Sequence, residues 1–261
     1  MCIRDSSGKE ARNLDDSRKA GGVATRKATR RVAHTNKETG VVTHSAERTT
    51  KKAAHAEITE DQAKTLKTMH ANSPQGRRDA VVMSLLLDHG LRVGELAALP
   101  IRGVDPDGKP TGLNLAAGTF TFYRQKVDKT QTHLMTPDTL KAVRAWMDND
   151  APAFGLLLSG SRKGGGLTGA MSERAITKRV RELGVKVGLY TEEQRTTKTG
   201  KVKAVKVGTL SAHDCRHYWA TTAASKGTDA FALRDAGGWS SLAMPSRYVE
   251  QAKIANAGVK L

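Results

Sequence analysis

The sequence predicts an α+β protein, mainly helical with a small antiparallel sheet. Three observations predict it. Several segments that open on capping residues carry apolar side chains at helical spacing. In one stretch, Phe120 and Phe122 alternate with threonines. The final third again reads as helical, broken only at Gly227 and Gly237-Gly238.

Taken in order, residues 1–56 contain no Phe, Trp or Tyr and hold 13 basic against 6 acidic residues. Such a segment buries little apolar surface, so it is expected to be disordered on its own. Its Arg26-Lys27 and Arg30-Arg31 pairs suit contact with phosphates or plain solvation. The pattern changes at residue 57, and the expected domain is 57–261. Thr59-Glu60-Asp61-Gln62 reads as a capping box, with Thr59 accepting from the third helical amide and Gln62 reaching back. A second helix is expected from about Arg77 to Asp88, built on Val81, Val82, Leu85 and Leu86 and ended by Gly90. A short helix follows Arg92 and stops at Pro100. Residues 119–136 read as two strands joined by a turn at Val127-Asp128, and Thr136-Pro137-Asp138 caps a helix holding Val143 and Trp146. After a flexible Lys163–Gly166 loop, Ser172-Glu173 opens a helix with Ile176, Val180, Leu183 and Val187 on one face. Residues 190–209 read as a basic hairpin turning at Thr199-Gly200.

Composition narrows the partners. Lys and Arg number 43 against 26 Asp and Glu, a formal charge of +17, which points to a polyanion and first of all to nucleic acid. A membrane partner is disfavoured. No stretch approaches the roughly 20 apolar residues of a span, and no amphipathic segment carries aromatic anchors. Only Cys2 and Cys215 are present, without CxxC spacing, so neither a zinc site nor a disulfide framework is expected and a reducing cytosol fits.

The chemistry is concentrated in a few strings. Arg92 lies in Gly90-Leu91-Arg92-Val93-Gly94-Glu95-Leu96, and Lys129 precedes Pro137 by eight residues. Near the end stand His213-Asp214-Cys215-Arg216-His217, then Gly238-Trp239, then Tyr248 nine residues after the tryptophan. His213 and Arg216, three apart on a helix, project from one face, and a downstream tyrosine is a candidate covalent nucleophile. Each piece is ambiguous alone. The ordered set resembles the tyrosine recombinase, or phage integrase, family.

That resemblance implies the fold of the family's catalytic domain over residues 57–261 and a helical core-binding domain before it, nearly twice as long as residues 1–56. The basic segment therefore looks like a truncated remnant, or that domain's last helix and linker. It also implies a site-specific recombinase of double-stranded DNA. Tyr248 attacks a phosphate to give a 3′-phosphotyrosyl link and a 5′-hydroxyl, and a 5′-hydroxyl from a partner duplex reverses the step. The bond energy stays in the phosphotyrosine, so no cofactor, metal or ATP is expected. Arg92 and Arg216 form the phosphate clamp, a role that suits a planar, permanently charged fork. His213 donates to the phosphate or helps deprotonate the tyrosine. Lys129 is the general acid toward the 5′-oxygen, with Lys126 a rival three residues earlier.

Trp239 stands where the family more often has histidine; indole offers a donor but shuttles no proton. His217 is expected to pack or to support Arg216 rather than react, Asp214 to cap its helix, and Cys215, where leucine is usual, to act as a small buried hydrophobe. Tyr123, Tyr190 and Tyr218 read as packing residues. Strand exchange implies a homo-tetramer on synapsed DNA, compatible with a monomer in solution. The residues after Tyr248 leave room for a short helix that docks on a neighbour. The setting implied is the cytoplasm of a bacterial or phage-bearing cell, with the gene on a mobile element.

Two other classes share parts of this pattern. A type IB topoisomerase uses the same chemistry but religates the same strand, and the compact spacing favours a recombinase over it. A DNA-binding module that no longer catalyses would fit the short N-terminal region. A generic basic RNA-binding protein predicts no ordered set of this kind.

Overall fold

The computed structural model describes residues 29–35, 42–48, 56–69, 72–162, 166–196 and 202–252. It divides into two units, residues 1–54 and 55–261. In the first, strands β1 (Thr29–Thr35) and β2 (Val42–Arg48) pair antiparallel, with Thr29 opposite Arg48. The sequence predicts no strand there, because the few apolar residues (Val32, Ala33, Val42 and Ala46) are scattered among charged and polar ones.

The second unit opens with α1 (Glu60–Thr68), started by the expected box: Gln62 N–H donates to Thr59 Oγ1 at 3.2 Å, and Thr59 N–H to Gln62 Oε1 at 2.9 Å. Ala63 and Leu66, three apart, supply its buried face. The central helix α2 runs from Pro74 to His89, one turn longer at its start than expected, because Ser73 caps it and Pro74 occupies the first turn. Gly90 ends it in the left-handed region (φ 61°). Val81, Val82, Met83, Leu85, Leu86 and Leu87 are all buried, so α2 is covered on every side and acts as the unit's axis. Its one buried ion pair, Arg78–Asp79 (2.9 Å), is fully partnered. Arg78 also donates to Ser159 O and Ser161 Oγ, and Asp79 accepts from Arg179 at 2.6 Å.

After α3 (Val93–Ala97) comes a four-stranded antiparallel sheet in chain order: β3 (Arg102–Val104), β4 (Pro110–Asn114), β5 (Thr119–Arg124) and β6 (Lys129–Leu134). The sequence predicted only the last two. Gly103, Pro110 and Gly112 break up the first pair, and Gly112 sits at φ 118°, so propensity hides them. The β5–β6 connection is longer than the two-residue turn expected at Val127-Asp128: Gln125–Val127 form a 3₁₀ turn and Asp128 is left-handed (φ 47°), where it accepts from Tyr123 Oη at 2.6 Å. Along β5 the period is two. Phe120, Phe122 and Arg124 are buried, and their partners in register are His133, Gln131 and Lys129.

Helix α4 (Pro137–Asn149) begins at Thr136 as expected and seats Val143 and Trp146 in the core, the indole donating to Leu157 O at 2.9 Å. The short pair β7 (Ser159–Ser161) and β8 (Leu167–Ala170) follows, three and four residues long and missed in the sequence. The centre of the expected Lys163–Gly166 loop lies outside the described residues. Helix α5 (Glu173–Lys186), capped by Ser172, buries Ile176, Val180 and Leu183, while Val187 is its half-buried C-cap. Strands β9 (Tyr190–Thr196) and β10 (Val202–Gly208) form the expected hairpin, whose Thr199-Gly200 turn lies outside the described residues. Three helices close the described chain: α6 (Ala212–Ser225), α7 (Ala230–Gly237) and α8 (Ala243–Ala252). They enclose a second small core of Trp219, Ala220, Ala224, Leu233 and Tyr248. No helix among the described residues is long and apolar enough to cross a membrane.

One polar feature of the main core makes stability depend on pH. His89 stands edge-on to Phe120 (5.0 Å) with its Nε2 3.0 Å from Thr139 Oγ1, and His133 packs on Phe122 (5.1 Å). Burial, with Lys67 nearby, pushes His89 down to about 4. Burial, then His89 and Arg124, push His133 down to about 3. Both folded values lie below the unfolded one, so the unfolded chain takes up protons that the folded chain refuses as pH falls below about 6.5. Stability is therefore expected to drop between pH 6.5 and 4.5, by about 2 kcal/mol per histidine. Urea midpoints across that range check this, and His133→Phe should flatten the slope. An unchanged slope would show that His133 titrates normally.

Candidate active site

Three arginines from three distant elements converge on the C-terminal end of α7. Arg216, on α6, is buried and donates through Nη1 to Gly90 O and through Nη2 to Gly237 O, both at 2.6 Å. Arg92, at the start of α3, donates through Nη2 to Gly238 O at 3.3 Å. Arg124, at the end of β5, donates to Ala236 O (2.7 Å) and Gly237 O (3.1 Å). The last carbonyls of a helix lack intrahelical partners and carry its negative dipole end, so cations gather there readily. Gly237 and Gly238 permit the crowding. A Cβ on Gly237 would lie 1.9 Å from the Trp239 ring, and one on Gly238, itself left-handed, would lie 2.7 Å from Arg124 Cδ.

Glu95 binds two of the arginines. Its carboxylate takes Arg92 Nη1 (2.7 Å) and the Arg92 backbone N–H (2.8 Å) on one side and Arg124 Nη1 (2.9 and 3.0 Å) on the other. Burial, with repulsion from Arg92 and Arg124, holds the Arg216 guanidinium below its ordinary range. One carboxylate among three guanidinium groups leaves a surplus of positive charge. Arg92, with 26% of its side chain exposed, is the member that reaches solvent.

The sequence offers Glu95 only within the Gly90–Leu96 string beside Arg92; Arg124, and the bridge Glu95 makes to it, were missed. Arg124 left a signal all the same, because it continues the two-residue period of Phe120 and Phe122 onto the inward face of β5.

Trp239 follows the glycine pair. Its ring stacks on Trp219 (6.0 Å, 15°), and the Arg216 guanidinium lies 4.3 Å above it. Tyr248, on α8, is 6% exposed, and its ring lies 6.1 Å from that of Trp239. Burial raises the phenol, and the Arg216 cation partly opposes this. The site residues expected near one another thus include Arg92, Arg216, Trp239 and Tyr248.

His213 is exposed in the first turn of α6, one turn before Arg216. Asp214 completes the capping box of α6 with Ser211, as expected, and Cys215 is buried with its thiol pushed up by burial. His217 is where expectation and structure part. Its Nδ1 lies 3.1 Å from Tyr248 Oη, so it touches the candidate nucleophile rather than merely packing. The sequence gave no sign of this, because the contact depends on how α6 and α8 cross.

The two candidate lysines differ in setting. Lys129 stands in register opposite Arg124, on the sheet face that carries Phe120 and Phe122, with its side chain exposed. Lys126 lines a cavity of about 590 Å³ shared with Arg92, Glu95, Asp105, Tyr123 and Gln125. The assembled groups suit attack by a phenol on a centre whose negative oxygens the guanidinium groups hold. Among the described residues, no cluster of His, Cys, Asp and Glu has the form of a metal site.

A family model described as the phage integrase family matches residues 56–254. The tyrosine recombinase XerC of Xanthomonas axonopodis pv. citri (strain 306) is 30% identical over 131 residues, which cover 50% of this chain and 38% of that protein. The XerC of Xanthomonas campestris pv. campestris (strain B100) is 29% identical over 130 residues, 50% of this chain and 36% of its own. The matched stretch is thus well under half the length of these curated relatives. Among solved structures, that of XerA recombinase superposes with a TM-score of 0.51 at 24% identity, covering 76% of this chain and 61% of that one. The Tn1549 transposon integrase, solved in complex with transposon right end DNA, gives 0.52 at 16% identity, covering 76% and 62%. These two likenesses are of fold.

Proposed function

The chain belongs to the phage integrase family, and from that premise we propose that it is a site-specific recombinase that cuts and rejoins DNA through a 3′-phosphotyrosyl bond to Tyr248. Residues 57–261 are assigned as the catalytic domain. The observation that carries the reading is the convergence of Arg92, Arg216, Trp239 and Tyr248 on the end of α7, although they lie up to 156 positions apart in the sequence.

In this reading Arg92 and Arg216 clamp the non-bridging oxygens of the scissile phosphate. His213, exposed one turn from Arg216, adds a third donor. The Trp239 indole N–H adds a fourth, while its ring fixes Arg216. Lys129 protonates the departing 5′-oxygen. The charge of +17 supports double-stranded DNA as partner, and exchange between two duplexes calls for four protomers around them. The chemistry consumes neither ATP nor metal, and the proposed place of action is the cytosol.

Tyr248→Phe tests the assignment. Nicked duplexes drawn from the DNA flanking the gene should trap covalent protein–DNA with the native chain and with Tyr218→Phe, and none with Tyr248→Phe. An adduct that survives Tyr248→Phe would remove Tyr248 as nucleophile. The lysine assignment has its own test. Lys129→Ala is expected to slow cleavage by about 10²–10⁴-fold, and a 5′-bridging sulfur, which needs no proton to leave, should restore the rate. If the sulfur substrate rescues Lys126→Ala instead, the acid is Lys126, on the Arg92 cavity.

A further inference from the structure

We propose that His217 is the residue that takes the proton from Tyr248 as the tyrosine attacks, leaving His213 to bind the phosphate. The inference rests on the reading of Tyr248 as nucleophile. Geometry carries it: His217 Nδ1 lies 3.1 Å from Tyr248 Oη, within reach of direct proton transfer, and the two rings meet at 5.2 Å and 55°.

Arg216 and Trp239, which also lie near the phenol, are poor acceptors. Arg216 is a cation with donors only, and Trp239 offers an indole N–H that accepts nothing. A base is also needed. Tyr248 is almost wholly enclosed, and burial disfavours its phenolate, so the proton must leave as the bond to phosphorus forms. A half-buried imidazole on the neighbouring helix meets that need.

The division of labour follows from the helix. His213 and His217 are four residues apart on α6 and share one side of it, and Arg216 projects three residues after His213 on the flank of that side. His213, in the exposed first turn, is placed for a ligand arriving from solvent. His217, one turn further in, is placed against α8.

The step balances with the groups present. Neutral His217, carrying its proton on Nε2, accepts the Tyr248 proton at Nδ1. The Tyr248 Oη–phosphorus bond forms and the phosphorus–O5′ bond breaks, with Lys129 giving its proton to O5′. On religation the oxygen of an incoming 5′-hydroxyl bonds to phosphorus and its proton returns to the lysine, while the Tyr248 Oη–phosphorus bond breaks and the His217 imidazolium returns its proton to Oη.

The test uses single-turnover formation of the covalent adduct on the nicked duplexes above, with DNA affinity measured in parallel. His217→Gln keeps a hydrogen-bonding side chain but accepts no proton. It is expected to slow adduct formation by about 10²-fold or more with unchanged DNA affinity. His217→Ala should be comparably slow, and added imidazole should restore part of its rate while leaving the native rate unchanged. A His217→Gln variant that cleaves at the native rate would overturn the proposal, since a contact role would then suffice. So would a folded His217→Ala variant that is slow and indifferent to imidazole. Should His217→Ala fail to fold, His217→Gln decides alone. A native chain that forms no adduct would instead sink the reading of Tyr248, and this proposal with it.

Discussion

Arg124→Ala is expected to cost about 3–5 kcal/mol of folding stability and to abolish strand cleavage at temperatures where the variant still folds. The guanidinium is wholly buried, and each of its three nitrogens donates a hydrogen bond. It binds the Glu95 carboxylate, the Ala236 and Gly237 carbonyls and the Gln131 side chain, and it lies 4.7 Å from the Phe122 ring centre. Truncation leaves a buried carboxylate with one cation instead of two and strips carbonyls at the α7 terminus of their donor. The functional loss follows from what Arg124 joins. Its backbone pairs with Lys129, its carboxylate partner holds Arg92, and its carbonyl partners lead directly into Trp239. Arg124→Lys should recover little, because one ammonium cannot span four acceptor groups arranged around a planar fork. Urea denaturation and adduct formation at low temperature measure the two effects separately. A variant within about 1 kcal/mol of the native chain would mean that water replaces the guanidinium at little cost.

Legibility in the sequence divided along a physical line. What depends on neighbours within one turn was readable: the caps at Thr59, Thr136 and Ser172, the left-handed Gly90, the inward faces of α2 and α5, and the pairing of His213 with Arg216 on one helix. What depends on elements distant in sequence meeting in the fold was not. The contact of His217 with Tyr248 joins positions 31 apart, and Glu95 meets Arg124 across 29. No local period encodes such meetings. The ordered motif compensated in part, since a resemblance carries tertiary information that spacing does not. It therefore brought Arg92, Arg216, Trp239 and Tyr248 to one site, and was silent on Arg124, whose only trace was its phase with two phenylalanines.

Arg92→Ala and Arg216→Ala are both expected to reduce cleavage by about 10²–10³-fold, the loss of roughly 3–4 kcal/mol that follows when a preorganised donor to developing charge is removed. Their effects on the fold should differ, and the difference is the informative result. Arg216 is 5% exposed, and it fastens the end of α2 to the end of α7 through the Gly90 and Gly237 carbonyls. Its truncation should lower the melting temperature as well as the rate. Arg92 keeps a quarter of its side chain in solvent, and it bonds to Glu95, which retains Arg124, and through one long bond to Gly238 O. Its truncation should therefore spare the fold and leave DNA affinity measurable, while the rate collapses. Kinetics and melting on the same preparations separate the cases. If Arg92→Ala lost affinity and rate in equal proportion, its role would be ground-state binding, because only a contact stronger in the transition state than in the bound substrate lowers the rate of the bound complex. If Arg216→Ala kept its rate, the buried arginine would be a strut, and the charge on the phosphate would rest on Arg92, His213 and Trp239.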